Sequence, residues 1–210
     1  MPHSNVLTNL NETFGIKRQA FKLCQTPLTI GARSMQSDQE KWDARYRENP
    51  GGSEPSPIMA KYWNLASIGN ALDIACGNGR NSLFLASKGF AVDAVDISTV
   101  ATDHLAGSDP KLHVICADLD HWRIPPDHYT LILNVRFLDR RLFPMIREGL
   151  QPGGVLIFES FMNGENDAYC LKRNELLRAF LSLRVIYYEE RKTRALGKFD
   201  QVASLVAVKQ

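Results

Sequence analysis

The sequence lacks a hydrophobic run long enough to cross a membrane. No segment of the 210 residues approaches the roughly 18 consecutive apolar residues that suggest a membrane-spanning helix. The N-terminus also lacks a charged start followed by an apolar block, so it does not have the form of a secretory signal. We therefore expect a soluble, cytoplasmic protein without a membrane partner.

Paired cysteines and strong charge of one sign are also missing. The four cysteines (Cys24, Cys76, Cys116 and Cys170) lie far apart and form no CxxC pair, which favours reduced thiols over a disulfide framework or a zinc site. His113 and Cys116 lie close enough in sequence to share a metal, but a structural role in a strand is favoured, so no metal is expected. The net charge is +2 and no long basic run occurs, so nothing indicates a nucleic-acid partner.

The chain is rich in strand-like apolar runs that alternate with helical segments. The runs ALDIA, FAVDAVDI, KLHVICA, HYTLILNV and VLIFES alternate with NSLFLASKG, STVATDHLA and RRLFPMIREGL, and a PGG turn precedes VLIFES. This alternation predicts βαβ units, and therefore a doubly wound α/β fold with a parallel sheet and helices on both faces. The runs LRVIYYEERK and QVASLVAVK predict two final strands that pair antiparallel.

The N-terminal part of the chain has a weaker pattern. Residues 1–34 show no clear period and are predicted to be an extension of unknown role, ahead of one domain over residues 35–210. The run SDQEKWDARYR predicts a helix over residues 37–47, with Ser37 as N-cap and Glu40 completing a capping box. Trp42 and Tyr46 are four residues apart and therefore share a face of this helix. A second helix is predicted for IMAKYWNLASI.

Two glycines stand where the first strand of the alternating region gives way to a helix, in ALDIACGNGRNSLFLA, residues 71–86. Glycine lets the backbone turn sharply and approach another group closely, because it has no Cβ. The free N–H groups at the start of the following helix favour a polar or anionic group nearby. Ligands of open α/β sheets bind beyond the carboxyl ends of the strands, so this loop predicts a ligand site.

Two acidic residues end the next two strands. Asp96 follows Gly79 at close to the roughly 20-residue spacing of an acid that binds ribose hydroxyls. Asp118 ends the third strand, where its carboxylate can accept a hydrogen bond from an adenine amino group. A glycine turn and two acceptors at neighbouring strand ends predict an adenosine site. The alternative, that both aspartates only cap the elements that follow them, stays open.

Other nucleotide sites fit less well. The dinucleotide fingerprint G-x-G-x-x-G is incomplete, because Ser82 stands where the third glycine would follow Gly77 and Gly79. A GK[ST] sequence is absent, which excludes a P-loop for ATP. An NAD-dependent oxidoreductase and a non-catalytic binding module nevertheless remain two alternative functions for this sequence.

From about Trp42 to the C-terminus, the sequence resembles the class I S-adenosylmethionine-dependent methyltransferases. ALDIACGNGRN is similar to their first motif, an acid followed by G-x-G-x-G, with Asp73, Ala75, Gly77 and Gly79 in those positions. Ala75 departs from the commoner glycine. VDAVDIS and ADLDHW are similar to the second and third motifs. WDARY, ACGNGRNSLFLASKG, RFLDRRLFPMI and PGGVLIFESF resemble the small bacterial tellurite-resistance methyltransferases of the TehB type.

The resemblance implies a Rossmann-like, seven-stranded, mostly parallel sheet with an antiparallel C-terminal strand. It implies S-adenosylmethionine as cofactor and methyl transfer to a small-molecule acceptor, such as a chalcogen oxyanion or a thiol. The glycine loop is expected at the methionine part of the cofactor, Asp96 at the ribose, and the residues after the second and third strands at the adenine. The implied cofactor-binding residues are Asp73, Ala75, Cys76, Gly77, Asn78, Gly79, Asn81, Asp96, Ile97, Ser98, Asp118, Leu119 and Asn134.

The acceptor end is less defined. Asn134 begins the sequence Asn-Val-Arg-Phe where methyltransferases for exocyclic nitrogens carry Asn-Pro-Pro-Tyr, so that class is disfavoured. Arg136 and Arg140, four residues apart, either bind an anion from one side or form a solvated helix start. An aromatic pair on the first helix either shields the sulfonium by cation–π contact or packs in the core. No pattern selects a catalytic residue, and the oligomeric state is not predicted. The acceptor candidates are Trp42, Tyr46, Arg136, Arg140 and Glu159.

Overall fold

The alternating apolar runs form strands of one sheet. The computed structural model describes residues 32–162, 168–193 and 200–210, with side chains from Ser37 onward, and the predictions for residues 1–31 lie outside this part of the chain. The strands in the described residues are β1 (Asn70–Ile74), β2 (Ala91–Asp96), β3 (Leu112–Cys116), β4 (Tyr129–Val135), β5 (Leu150–Phe161), β6 (Arg184–Lys192) and β7 (Gln201–Val208).

The strand order is β3-β2-β1-β4-β5-β7-β6. Strands β1 to β5 pair parallel, and β7 runs antiparallel to both β5 and β6. The predicted seven-stranded, mostly parallel sheet with an antiparallel C-terminal strand is therefore confirmed. The order reverses between β1 and β4, so the carboxyl ends of β1, β2 and β4 meet at the switch point where ligands of such sheets bind.

Helices precede the first strand and also lie in connections between strands. They are α1 (Ala32–Glu48), α2 (Pro57–Tyr62), a 3-10 helix (Trp63–Leu65), α3 (Arg80–Ser87), α4 (Thr99–Leu105), α5 (Leu142–Gly149) and α6 (Glu175–Ala179). Ser98 caps α4, because its Oγ accepts a hydrogen bond from the amide of Ala101 at 3.2 Å. In the described part of the chain, each helix is too short or too polar to cross a lipid bilayer.

Three local predictions were wrong. Helix α1 begins at Ala32, so Ser37 lies inside it and cannot be its N-cap; no glycine or proline separates the two residues to stop the helix. The helix predicted over IMAKYWNLASI divides into α2 and the 3-10 helix. The predicted PGG turn lies inside β5, because Gly153 and Gly154 exchange backbone hydrogen bonds with Lys209 at 2.8 and 2.9 Å.

Separate apolar layers cover the two faces of the sheet. Leu72 and Ile132 belong to the layer on one face, whereas Ala71 and Leu131, their sequence neighbours, belong to the other. Successive side chains of a strand point to opposite faces, so both layers draw on the same strands. Burial on both faces holds the strands in register and fixes where their carboxyl ends lie.

Candidate functional site

The loop between β1 and α3 has a backbone that only small residues accommodate well. Ala75, Gly77 and Gly79 have φ values of 52°, 57° and 74°, in the left-handed region. A Cβ on Gly79 would clash with Leu105, and a Cβ on Gly77 would lie 2.5 Å from Oη of Tyr46. The two glycines therefore serve both the turn and a close approach of other groups.

The carboxylate of Asp96 binds this loop to the end of β2. Its Oδ2 accepts a hydrogen bond from the amide of Gly77 at 2.8 Å, and its Oδ1 accepts one from the amide of Ser98 at 2.9 Å. Asp96 is only 5% exposed, and this burial raises the pKa of its carboxyl although the backbone amides oppose the shift. A carboxylate offers about four lone-pair positions, so two amides leave it able to accept further hydrogen bonds.

Helix α1 is bound to the turn between β2 and α4 through Asp43. The carboxylate of Asp43 accepts hydrogen bonds from Ser98 Oγ at 2.6 Å, Thr99 Oγ1 at 2.8 Å and the amide of Val100 at 3.2 Å. Burial alone would raise the pKa of Asp43, but these hydrogen bonds lower it below its usual value. Gln39 donates from Nε2 to the carbonyl of Ile97 at 3.0 Å.

Sequence reasoning missed Gln39 and Asp43. Both are polar residues in a segment rich in charge, so composition does not distinguish them from residues on the solvated face of a helix. Their spacing is the available signal: Gln39, Asp43 and Tyr46 follow each other by four and three residues and therefore lie on one face of α1. This face points to the turn after β2 and to the glycine loop.

Tyr46 brings an aromatic ring to the glycine loop. Its ring lies 6.1 Å from that of Trp42, centroid to centroid, and the side chain is half-buried. Burial raises the pKa of the Tyr46 phenol, and the nearby carboxylate of Asp96 adds to the shift. The structure thus brings Tyr46 to the glycine loop, and Trp42 lies beside Tyr46 with the guanidinium of Arg45 over its ring at 5.4 Å.

Asp73 and Cys76 are buried beneath the loop. Oδ2 of Asp73 accepts a hydrogen bond from Oγ of Ser82 at 2.6 Å, which joins β1 to the first turn of α3. Burial raises the pKa of Asp73 to about 7. Burial also raises the pKa of the Cys76 thiol, which packs against Ala94 and Leu105. Both residues shape the loop from within.

Polar side chains of the loop and of the first turn of α3 bind the segment that precedes α2. Asn78 Nδ2 donates to the carbonyl of Gly52 at 2.9 Å, and Asn81 Oδ1 accepts from the amide of Ser56 at 2.8 Å. The predicted cofactor residues Asn78 and Asn81 therefore contact a neighbouring chain segment as well as flanking the glycines.

Asp118 and Leu119 follow β3 next to the end of β2. The amide of Ala117 donates to the carbonyl of Asp96 at 2.9 Å, which places the two strand ends side by side. Oδ1 of Asp118 accepts from the amide of Asp120 at 2.9 Å, so this carboxylate caps its own turn. Leu119 packs against the core layer. The alternative that Asp118 caps the turn that follows it therefore has structural support.

The end of β4 carries a buried amide without a partner. Asn134 pairs in register with Ile74 on β1 and Phe158 on β5 and has no exposed surface. Neither polar atom of its side chain has a hydrogen-bond partner among the described residues. The buried Oγ of Ser160 on β5 also has no hydrogen-bond partner among them. Buried polar atoms are rarely unpaired, so this edge has capacity for a polar group from outside the chain.

Glu159 and Arg136 lie together at the ends of β5 and β4. The amide of Arg136 donates to the carbonyl of Glu159 at 2.7 Å. Oε2 of Glu159 accepts from Ser204 Oγ at 2.8 Å and lies 3.3 Å from Nη2 of Arg191. Arg136 has a left-handed φ of 64° and an exposed side chain, and partial burial and repulsion by Arg80 lower its pKa.

Arg140 faces a different part of the molecule. Its guanidinium forms two hydrogen bonds with the carboxylate of Glu175 on α6, at 2.5 and 3.0 Å, and donates to the carbonyl of Cys170 at 3.0 Å. The helix start proposed for Arg136 and Arg140 was wrong, because α5 begins only at Leu142. The four-residue spacing therefore does not put the two guanidinium groups on one helix face.

His113 and Cys116 have separate surroundings. Nδ1 of His113 lies 3.0 Å from Oδ1 of Asp93, whereas the thiol of Cys116 lies 3.6 Å from the carbonyl of Ile97. They are three positions apart along β3, so their side chains point to opposite faces of the sheet. In the part of the chain that the structure describes, no group of three or more His, Cys, Asp or Glu residues is arranged to hold a metal.

One domain family matches part of the sequence. Residues 71–154 match a methyltransferase domain family, and this match covers the glycine loop and the ends of β1 to β4. No curated protein matches the sequence. The part of the chain that forms the site described above is therefore similar to a methyltransferase domain.

Solved structures share the fold. TehB from Haemophilus influenzae is 20% identical, with a TM-score of 0.66 over 80% of this chain and 67% of that chain. The 1,6-didemethyltoxoflavin-N1-methyltransferase from Burkholderia thailandensis, solved with 1,6-didemethyltoxoflavin and S-adenosylhomocysteine, is 13% identical, with a TM-score of 0.65 over 89% and 93%. The [4+2]-cyclase SpnF is 16% identical, with a TM-score of 0.61 over 72% and 78%. At these identities the likeness establishes the class I methyltransferase fold.

Proposed function

We propose that this chain, with its class I methyltransferase fold and its similarity to a methyltransferase domain over residues 71–154, binds S-adenosylmethionine and transfers a methyl group to a small molecule. The observation that carries the proposal is the buried carboxylate of Asp96 at the switch point of the sheet, bonded to Gly77 on one side and to Ser98 on the other. This carboxylate has the acceptor capacity that a ribose diol requires.

The residues present fit the cofactor. The remaining lone pairs of Asp96 can accept the two ribose hydroxyls, and the absence of a side chain at Gly77 lets Tyr46 approach the loop beside them. Ile97, Ser98 and Leu119 lie at the neighbouring strand ends, where an adenine ring would lie beside the ribose. The unpaired amide of Asn134 supplies polar atoms at the end of β4.

S-adenosylmethionine, when bound, supplies a methyl group that is already activated on a sulfonium. The chain therefore needs mainly to orient the reactants and exclude water. Trp42 and Tyr46 offer aromatic faces to a cation, a contact worth about 0.5–2 kcal/mol. The raised pKa of Tyr46 keeps its phenol protonated at neutral pH, so its hydroxyl can donate a hydrogen bond.

Glu159 and Arg136 favour a polar acceptor at the ends of β4 and β5. Ser204 and Arg191 both bind Oε2 of Glu159. The carboxylate of Glu159 can accept a hydrogen bond from a protic nucleophile and take up its proton as the nucleophile's bond to the methyl carbon forms and the sulfonium–methyl bond breaks. A thiol suits this arrangement better than a chalcogen oxyanion, because the carboxylate of Glu159 would repel an oxyanion.

We place this activity in the cytoplasm. Cys76, Cys116 and Cys170 are free thiols, which supports a reducing compartment.

Calorimetry with S-adenosylmethionine, S-adenosylhomocysteine and NAD tests the cofactor. We expect micromolar binding of both sulfur nucleotides and no binding of NAD, and the reverse pattern would favour the oxidoreductase. Since a [4+2]-cyclase shares the fold, the fold alone does not establish methyl transfer. Release of S-adenosylhomocysteine with dithiothreitol or selenite as acceptor probe would demonstrate it. Cofactor binding without turnover on any acceptor would favour a non-catalytic binding module.

A further inference from the structure

A continuous series of hydrogen bonds runs from α1 to the glycine loop. Ser98 Oγ donates to Asp43 at 2.6 Å, the amide of Ser98 donates to Asp96 at 2.9 Å, and the amide of Gly77 donates to Asp96 at 2.8 Å. Ser98 therefore joins the two carboxylates. A change in the position of Asp43 would be transmitted to the carboxylate of Asp96 through one residue.

Asp43 stands out within its own helix. It is 7% exposed, whereas its neighbours Ala44, Arg45 and Arg47 are exposed. Its hydrogen bonds go to the turn between β2 and α4 rather than to the core, and they satisfy donors at the start of α4. Because Gln39 and Tyr46 lie on the same face of α1, these bonds also fix where Tyr46 lies over Gly77.

We propose that Asp43 is a positioning residue for the cofactor. It docks α1 on the turn after β2, orients the carboxylate of Asp96 through Ser98 and holds Tyr46 over the glycine loop. The proposal rests on the proposed function, since it requires a cofactor at this loop. Oη of Tyr46 lies where a Cβ of Gly77 would be, so the docked helix closes over the loop, and the contacts of Asp43 govern how fast a bound nucleotide leaves.

The test measures S-adenosylhomocysteine binding to the full chain by calorimetry and its release by stopped-flow tryptophan fluorescence, to which Trp42 contributes. For Asp43→Ala we expect affinity to fall roughly tenfold or more, with most of the loss in the release rate. For Asp43→Asn we expect an intermediate loss, because the amide keeps one acceptor for Ser98 but presents N–H groups to Thr99. Asp38→Ala, which removes an exposed carboxylate from the same helix, is the matched control and should bind like the wild type.

A purely structural role would lower the melting temperature of Asp43→Ala without changing the release rate, and that result would overturn the proposal. If Asp43→Ala does not fold, Asp43→Asn and Thr99→Val carry the test, because each removes fewer of the bonds of Asp43. Equal release rates for both variants and the wild type would again overturn it. Failure of the wild-type chain to bind either sulfur nucleotide would instead refute the proposed function, on which this inference depends.

Discussion

The amide of Gly77 donates a hydrogen bond to Oδ2 of Asp96 over 2.8 Å, across the ends of β1 and β2. The residue that the sequence identifies as a ribose acid thus shapes the glycine loop before any nucleotide binds. Its second oxygen is bonded to the amide of Ser98 at 2.9 Å, so the same carboxylate also defines the turn into α4. Substitution of Asp96 should therefore affect both ligand affinity and the stability of the fold.

Asp96→Ala should weaken S-adenosylmethionine binding about 10- to 150-fold, because hydrogen bonds to a charged acceptor contribute roughly 1.5–3 kcal/mol. It should also lower the free energy of unfolding, since the amides of Gly77 and Ser98 lose their acceptor. Calorimetry and urea denaturation measure the two effects. Asp103→Ala removes an exposed carboxylate from α4 and serves as control. Unchanged affinity in Asp96→Ala would contradict the assignment of Asp96 to the cofactor.

Gly77→Ala should weaken nucleotide binding by at least about tenfold. The added Cβ would meet Oη of Tyr46 and would occupy space at the loop, and alanine is strained by about 1–2 kcal/mol at a left-handed φ. Gly107→Ala is the matched control, because its φ of 77° imposes similar strain while nothing lies within 4 Å of the new Cβ. Both variants should lose stability in urea, and only Gly77→Ala should lose affinity. Equal affinities would show that the loop does not approach the ligand.

The fold follows from the sequence because its determinants are local. Apolar runs of strand length and helical segments repeat in order, and the predicted strands, with the helices between them, appear in the structure. The errors come from tertiary contacts that no local pattern records. The pairing of Lys209 with Gly153 and Gly154 draws a predicted turn into β5.

The cofactor end of the site was more accessible to sequence reasoning than the acceptor end. Asp96 and Gly77 belong to motifs with fixed spacing, so their contact could be anticipated from the order of the strands. Asp43 joins α1 to a turn more than fifty residues later, a distance over which the sequence contains no spacing rule. Arg136 and Arg140 lie four residues apart, but the chain between them is not helical, so the spacing was misleading.

Asp73→Asn should remove a dependence of stability on pH. The pKa of Asp73 is raised by burial to about 7, whereas an unfolded chain titrates near 4, so between these values the folded chain binds more protons than the unfolded chain. Stability should therefore fall as pH rises from about 4 to 7, by roughly 2–4 kcal/mol from this group. Urea denaturation of both proteins from pH 5 to 8 measures it. We expect the difference between Asp73→Asn and the wild type to grow with pH in favour of the variant. A constant difference would show that Asp73 is ionised throughout.

Arg140→Met should destabilise the fold by on the order of 1 kcal/mol, because its guanidinium joins Glu175 and the carbonyl of Cys170 in a partly buried contact. Arg141→Met is the control: its guanidinium is 67% exposed, so its pairs with Asp139 and Asp120 should contribute less. Urea denaturation and calorimetry with S-adenosylmethionine compare the two variants, and we expect unchanged cofactor affinity in both. Loss of turnover in Arg140→Met without loss of stability would instead support Arg140 as an anion-binding residue of the acceptor site, one of the two alternatives that the sequence left open.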